Sequence, residues 1–271
     1  ASVRSSVVSH AKTLGYIPNS VRAPIAYVNV TLNNIGGLTS ATIPAGTIFN
    51  TVIDDVNYQF VTVAEHTALT VNGVLSFSNI PIHEGTYVTN RYTVDTDNVD
   101  QKFYVNDANG DTTTLLVDVF NTASSTSSTT FTQALDNTQV KSDSNVYFLQ
   151  ESVDGKFEVY FGDGVTGKAL SDGNIVRLRY VVTNKTAANG ASSFTTSATI
   201  TGITDITTAT VSAASGGAEK ESIQSIKFNA PLDYAAQGRA VTVNDFKAIV
   251  PKVYANAKSV QVYGGEDNDV P

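Results

Sequence analysis

The sequence predicts a mainly β protein, α+β overall, with at least one β-sandwich-like domain, an N-terminal helix and a small C-terminal α/β piece. Three observations predict it. Val, Ile, Thr, Tyr and Phe recur in short alternating runs, broken by Gly, Asn, Asp and Ser. Helical periodicity of 3.6 residues is found near the two ends of the chain. The 271 residues are enough for a sizeable core and about two domains.

Composition narrows the function. The formal charge is −8 and the isoelectric point about 4.8, with Lys and Arg scattered. Nucleic-acid binding needs clustered cations, so it is not expected. There is no Cys, hence no disulfide, thiolate metal site or thiol nucleophile. No apolar run is long enough to insert in a membrane, and nothing resembles a signal peptide. Met is absent even at position 1, which suggests a processed product or a piece of a longer chain.

The elements follow in order. Residues 2–14 form a helix, with Val3, Val7, Ala11 and Leu14 on one face and Gly15 and Pro18 closing it. His10 lies on or near its polar side. Residues 26–32 are a strand with Tyr27 and Asn29 opposing Val28 and Val30. Ile43-Pro44-Ala45-Gly46 reads as a type I turn with Pro44 second and Gly46 fourth. Strands at 48–53 and 58–63 flank Asp54, Asp55 and Asn57, and His66 is expected exposed just beyond. Residues 71–82 give one or two strands around Gly73, ending near Pro81. His83-Glu84-Gly85 reads as a turn, since no nucleophile or second metal ligand is spaced to join the pair.

Strands follow at 87–94, 101–105 and 115–120. Asp107, Asn109 and Asp111 resemble the opening of a calcium loop. Thr112 stands where its Gly is required and Asp118 where its Glu is, so ordinary turn chemistry is preferred. The Ser/Thr run 121–130 reads as a loop or linker and supplies a first boundary. A strand at 146–149 precedes the central feature, residues 156–182. There Phe157, Val159 and Phe161 alternate with polar neighbours, as do Val176, Leu178 and Tyr180. Gly162, Gly164, Gly167 and Gly173 lie between and permit reversal. The expectation is a long-looped antiparallel hairpin, with Arg177 and Arg179 near Glu158.

That loop contains most of a phosphate-binding motif, Gly162-x4-Gly167-Lys168. Ala169 replaces the metal-binding hydroxyl, Asp163 puts a negative charge in the anion nest, and no helix follows. A glycine-rich turn is the better reading. Residues 194–211 suit one or two edge-like strands. Gly216-Gly217 is a second boundary. Residues 218–228 read as a helix with Glu219 and Glu221 in its first turn, and Pro231 as its exit. Thr242 with Asp245 makes a capping box for a helix to about residue 250, with Phe246, Ile249 and Val250 on its apolar face. Residues 259–263 are a last strand.

Two stretches resemble a known family. Gly216, Gly217, Glu221, Ser222, Ala230, Pro231, Arg239, Ala240, Val241, Thr242, Asp245 and Phe246 occur in the order found in the baseplate J-like proteins of contractile-tailed phages. Phe161-Gly162-Asp163-Gly164, Gly167-Lys168, Gly173-Asn174, Tyr180, Leu14-Gly15-Tyr16-Ile17-Pro18 and Ile43-Pro44-Ala45-Gly46-Thr47 are similar to segments of their baseplate wedge proteins. The resemblance implies a structural subunit of the virion tail baseplate, assembled in the host cytoplasm. It implies pairing with copies of itself, as a homodimer or ring, and with other wedge proteins. It implies no catalytic, cofactor or metal residues. The motif residues are structural: Gly162, Gly164, Gly167 and Gly173 permit turns, Thr242 and Asp245 cap a helix, and Arg239 anchors a junction. Such proteins continue beyond both ends of this segment. The expected division is 1–24 (helix and linker), 25–125 (β), 126–215 (β with the hairpin) and 216–271 (partial α/β). The alternative is a receptor- or glycan-binding module of a tail fibre or adhesin, to which the 12 Tyr and 12 Phe would be suited.

Overall fold

A computed structural model describes residues 3–99, 101–134 and 140–236, together with 246, 249–250 and 260–261. The chain runs α1 (Arg4–Thr13), β1 (Ile25–Leu32), β2 (Ser40–Ile43), β3 (Ile48–Ile53), β4 (Val56–Val61), β5 (His66–Leu69), β6 (Leu75–Glu84) and β7 (Thr86–Thr93). It continues β8 (Phe103–Val105), β9 (Gly110–Phe120), β10 (Ser128–Gln133), β11 (Val146–Glu151), β12 (Phe157–Phe161), β13 (Ile175–Val182), β14 (Ile206–Ser215) and α2 (Ile223–Ala236). The protein is mainly β, as its composition predicts.

Alternation decides the first sheet. In β1 the residues Ala26, Val28, Val30 and Leu32 are buried while their neighbours are not, the two-residue period of a strand with one face on a core. The sheet order is β14-β1-β6-β4-β3, and a small β2-β5 pair lies apart from it. Their core joins Val28, Val30, Phe49, Phe60, Leu75 and Ile82 to Ile43 of β2, and to Phe194 and Ile200 from the chain between β13 and β14. β4 follows β3 through Asp54 and Asp55, both at positive φ, the two-residue turn that matches strand twist.

The second sheet has the order β7-β13-β9-β10-β11-β12-β8. Every neighbouring pair is antiparallel except β10 with β11. One face supplies its own core, with Phe103, Val117, Phe131, Leu149, Val159 and Leu178 among its members. The sheet therefore curls. Its outermost strands are tied by Tyr92, whose hydroxyl donates to the Tyr104 carbonyl at 2.8 Å and whose ring meets Phe103 edge-on at 5.7 Å.

The expected hairpin does not form. β12 pairs with β11 and β8, whereas β13 pairs with β7 and β9. Glu158 accordingly meets Lys102 at 3.2 Å, and Arg177 and Arg179 meet Asp118. Both strands are buried and apolar on the core side, so packing selected other neighbours than the nearest in sequence. The expected boundary at 125/126 falls between β9 and β10, which pair with Ser128 opposite Phe120. The end of the Ser/Thr run is thus strand, because cross-strand bonding needs no large side chain.

Other expectations shift locally. The turn at Pro44 runs one residue later: Thr47 N–H donates to the Pro44 carbonyl and Gly46 sits third with φ +82°, which is type II geometry. β6 runs through Pro81 to Glu84, so His83 and Glu84 are strand, not turn. β4 pairs with β6 only at Glu84 and His83, so the missing N–H of Pro81 breaks no bond on that side. His66 opens β5 and is half-buried rather than exposed, and burial lowers its pKa.

α1 buries Val7, Val8 and Ala11 against Ile226 and Ala230 of α2. α2 begins later than expected and holds Pro231 inside it; packing on α1 outweighs the lost backbone bond. Ser222 caps α2 by accepting from Ser225 N–H at 3.1 Å, so Glu219 and Glu221 precede the helix. The expected helix at 242–250 and strand at 259–263 lie largely outside the described residues.

Candidate functional site

Six carboxylates sit in buried positions: Glu84, Asp111, Asp118, Glu151, Glu158 and Glu221. Each holds donors from a distant part of the chain. Burying a carboxylate is costly unless it is bonded this way.

Glu84 ends β6 where the chain leaves the first sheet. It accepts from Thr183 Oγ1 (2.6 Å), Asn184 N (2.9 Å) and Asn184 Nδ2 (2.7 Å), where the chain returns from β13. The two crossings lie in contact. A Cβ on Gly85, which has φ +126°, would stand 2.1 Å from the Val182 carbonyl oxygen, so only glycine fits. Beside it His83 is buried with Nδ1 lacking a partner among the described residues, and burial drops its pKa to about 4.

Asp111, at the start of β9, accepts from Ala23 N (2.8 Å), Thr113 N (2.9 Å) and Thr113 Oγ1 (2.7 Å). Burial raises its pKa, opposed by those donors. Its carboxylate is therefore turned to the leading segment, while Asp107 accepts from Asn109 N–H at 2.8 Å. The calcium-like trio does not converge. Among the described residues no group of three or more His, Asp or Glu side chains could hold a metal ion.

Glu151 and Glu221 fasten the helices. Arg4 of α1 grips Glu151 with two parallel bonds, Nε to Oε1 at 2.7 Å and Nη2 to Oε2 at 2.9 Å. Lys220 reaches the same carboxylate at 2.9 Å and lies 5.1 Å above the Phe157 ring. Glu221 accepts from Tyr16 hydroxyl (2.8 Å), Asn19 N (2.9 Å) and Ser225 Oγ (2.7 Å). Burial and then the Glu221 charge push the Tyr16 hydroxyl pKa well up. An open apolar groove of about 340 Å³ runs between α1 and α2, past Val7, Ala11, Leu14, Ile226 and Pro231.

The glycine loop is a packed turn. Asp163 Oδ1 accepts from Val165 and Thr166 N–H at 2.9 Å each, which lowers its pKa, Thr166 acting most strongly. Gly164 N–H donates to Gly167, Gly167 to Lys141 and Lys168 to Ser144. The amides that a phosphate would need are already engaged. Gly162 approaches Gly167 so closely that a Cβ would sit 2.3 Å from its carbonyl. Gly164 and Gly167 have φ +86° and Gly173 φ +75°. Arg239, Thr242 and Asp245 lie outside the described residues.

The carboxylates were the residues that sequence reading missed or misplaced. The available signal was a charge inside an apolar strand, as in Leu115-Leu116-Val117-Asp118-Val119-Phe120 and Val146-Tyr147-Phe148-Leu149-Gln150-Glu151. Such a charge needs a partner. Their oxygens are used for fastening strands, helices and the leading segment to one another.

Residues 88–193 match the family model described as bacteriophage baseplate wedge protein gp6, third domain. That span takes in nearly the whole second sheet, from β7 through β13. In that stretch the chain is similar to the phage baseplate wedge proteins. The baseplate wedge protein gp6 of Enterobacteria phage T4 is 25% identical over 300 residues, covering 97% of this chain. The chain spans 43% of the length of that relative, and the resemblance to wedge proteins extends over both sheets and both helices.

Proposed function

We propose that this chain is a structural subunit of a phage tail baseplate in the virion, with no catalytic role, assembled in the host cytoplasm. The observation that carries the reading is the gp6 third-domain match, which falls on the second sheet. The buried carboxylates support it. They couple two sheets and two helices into a body able to transmit force, which suits a part of a ring that rearranges when a tail contracts.

The subunit pairs with copies of itself and with other wedge proteins. β14 supports the first contact. It is an outer strand, largely exposed, and residues 207–213 contain no charge and no Pro. Protected edges usually carry such blockers, and open ones accept another strand. The helices support the second: Val3, Phe228 and Tyr234 expose most of their apolar surface. Sedimentation velocity over a concentration series tests the self-contact. A reversible or stable dimer is expected, and a strict monomer at high concentration would remove self-association by these residues from the reading.

A further inference from the structure

The second sheet turns a distinct chemistry outward, on the side opposite its core. Arg177 and Arg179 of β13 lie there with Arg91 of β7, which is directly opposite Arg177. Asp118 of β9 is directly opposite Arg177 on the other side. Asp118 Oδ2 accepts from Arg177 Nε (3.2 Å), Arg177 Nη2 (2.9 Å) and Arg179 Nη2 (2.7 Å), and Oδ1 from Thr130 Oγ1 (3.0 Å). The carboxylate is saturated. Three guanidiniums against one carboxylate leave two positive charges on this face of an acidic chain.

The arginines are held in place rather than waving in solvent. Arg177 and Arg91 both stand over the buried Phe120 ring, 4.8 and 5.1 Å from its centroid. Phe120 is only 5% exposed, whereas Arg91 is exposed. The Arg177 and Arg179 side chains keep 25% and 24% of their surface; Arg179 Nε itself is buried, so a partner meets only the outer edges of these side chains. Guanidiniums present planar donor pairs that match carboxylates, and stacking fixes their orientation before a partner arrives.

We propose that this arginine face docks an acidic segment of a neighbouring protein subunit, an Asp- or Glu-bearing loop whose carboxylates bridge Arg91 and the free edges of Arg177 and Arg179. Charge complementarity selects that occupant: the face is positive on a chain of net charge −8, so it is the part of this surface where an acidic partner meets attraction. The inference is independent of self-association through β14.

The test uses the whole chain and a fluorescent octapeptide of alternating Glu and Gly, followed by polarisation at rising salt. Binding is expected at low ionic strength and should weaken steeply as salt is added. Arg91→Glu should cut affinity about tenfold or more. A Glu at 91 faces Arg177 across the strands and can pair with it, so the fold is retained, which an unchanged melting temperature verifies. Lys12→Glu, a reversal on the exposed side of α1, should change affinity less than about twofold. Absence of salt-sensitive binding overturns the proposal, as does an equal loss in Lys12→Glu. Displacement of the peptide by millimolar inorganic phosphate also overturns it, since the face would then be a simple anion site.

Discussion

The two sheets solve the problem of an open edge differently. The seven-stranded sheet forms from one continuous stretch, β7 to β13, and curls until Tyr92 and Tyr104 join its outermost strands. The five-stranded sheet is discontinuous. β14 arrives after the whole second sheet and lies beside β1, with Ile206 opposite Leu32, leaving its far side open. In the curled sheet the side chain of one outer strand reaches the other, while the sheet completed by a late strand leaves that strand's far side as a surface for a partner. The first sheet is also the one whose core waits for distant residues, Phe194 and Ile200. The long loop between its strands makes its formation the slower event on entropic grounds.

The largest effect should come from the crossing that joins the two. Gly85→Ala places a methyl group in the Val182 carbonyl and is expected to cost about 4 kcal/mol, measured by urea denaturation. A loss below about 1 kcal/mol would mean the crossing relaxes freely. Glu84→Ala strands the donors of Thr183 and Asn184 and should cost about 3 kcal/mol. It should also split one unfolding transition into two if Glu84 couples the sheets; a single transition at reduced stability would assign it to local packing alone.

His83 sharpens the same comparison through pH. Its folded pKa of about 4 lies below the ordinary 6.5, so the unfolded chain binds the proton more readily. The stability from the neutral, buried ring is full above pH 6.5. It is lost as pH falls toward 4, by about 3 kcal/mol. Asp111, with its raised pKa, acts in the opposite sense at low pH. His83→Gln should flatten the acid limb between pH 6.5 and 4, and an unchanged slope would remove His83 as its cause.

Arg4→Ala removes both bonds to Glu151 but leaves Lys220 on it. Arg4 is partly exposed, so solvent screens the pair and the expected loss is about 1–2 kcal/mol. Hydrogen exchange should rise in α1 before it rises in either sheet. The smallest change in stability is expected for Val211→Lys on the exposed part of β14, about 0.5 kcal/mol or less. It should nonetheless weaken any self-association seen by sedimentation, and an unaltered dimer would move that contact elsewhere.

Local sequence carried the elements well. The alternation at 26–32 corresponds to β1, and Gly15 stands at the C-terminus of α1 with φ +76°. The glycines at 164, 167 and 173 lie between strands at positive φ, whereas Gly162 is needed for its close approach to Gly167. Local reading failed where two choices had similar local cost. Pro231 stops a helix in isolation but not one packed on α1, and Ser128 to Thr130 look like linker until a neighbouring strand bonds their backbone.

By itself the sequence determined the mainly β class, the places of α1 and many of the strands, the negative net charge and the absence of thiol chemistry, because each depends on residue type and short-range spacing. Its ordered motifs also carried the resemblance to wedge proteins. Tertiary structure alone decided which strands are neighbours. β12 and β13 are adjacent in the chain and apart in the sheet, and β1 and β14 are the reverse. Pairing is chosen by the burial of whole faces and by the donors that reach Glu84, Asp118 and Glu151 from far along the chain. Those are long-range free energies, and no short window of sequence contains them.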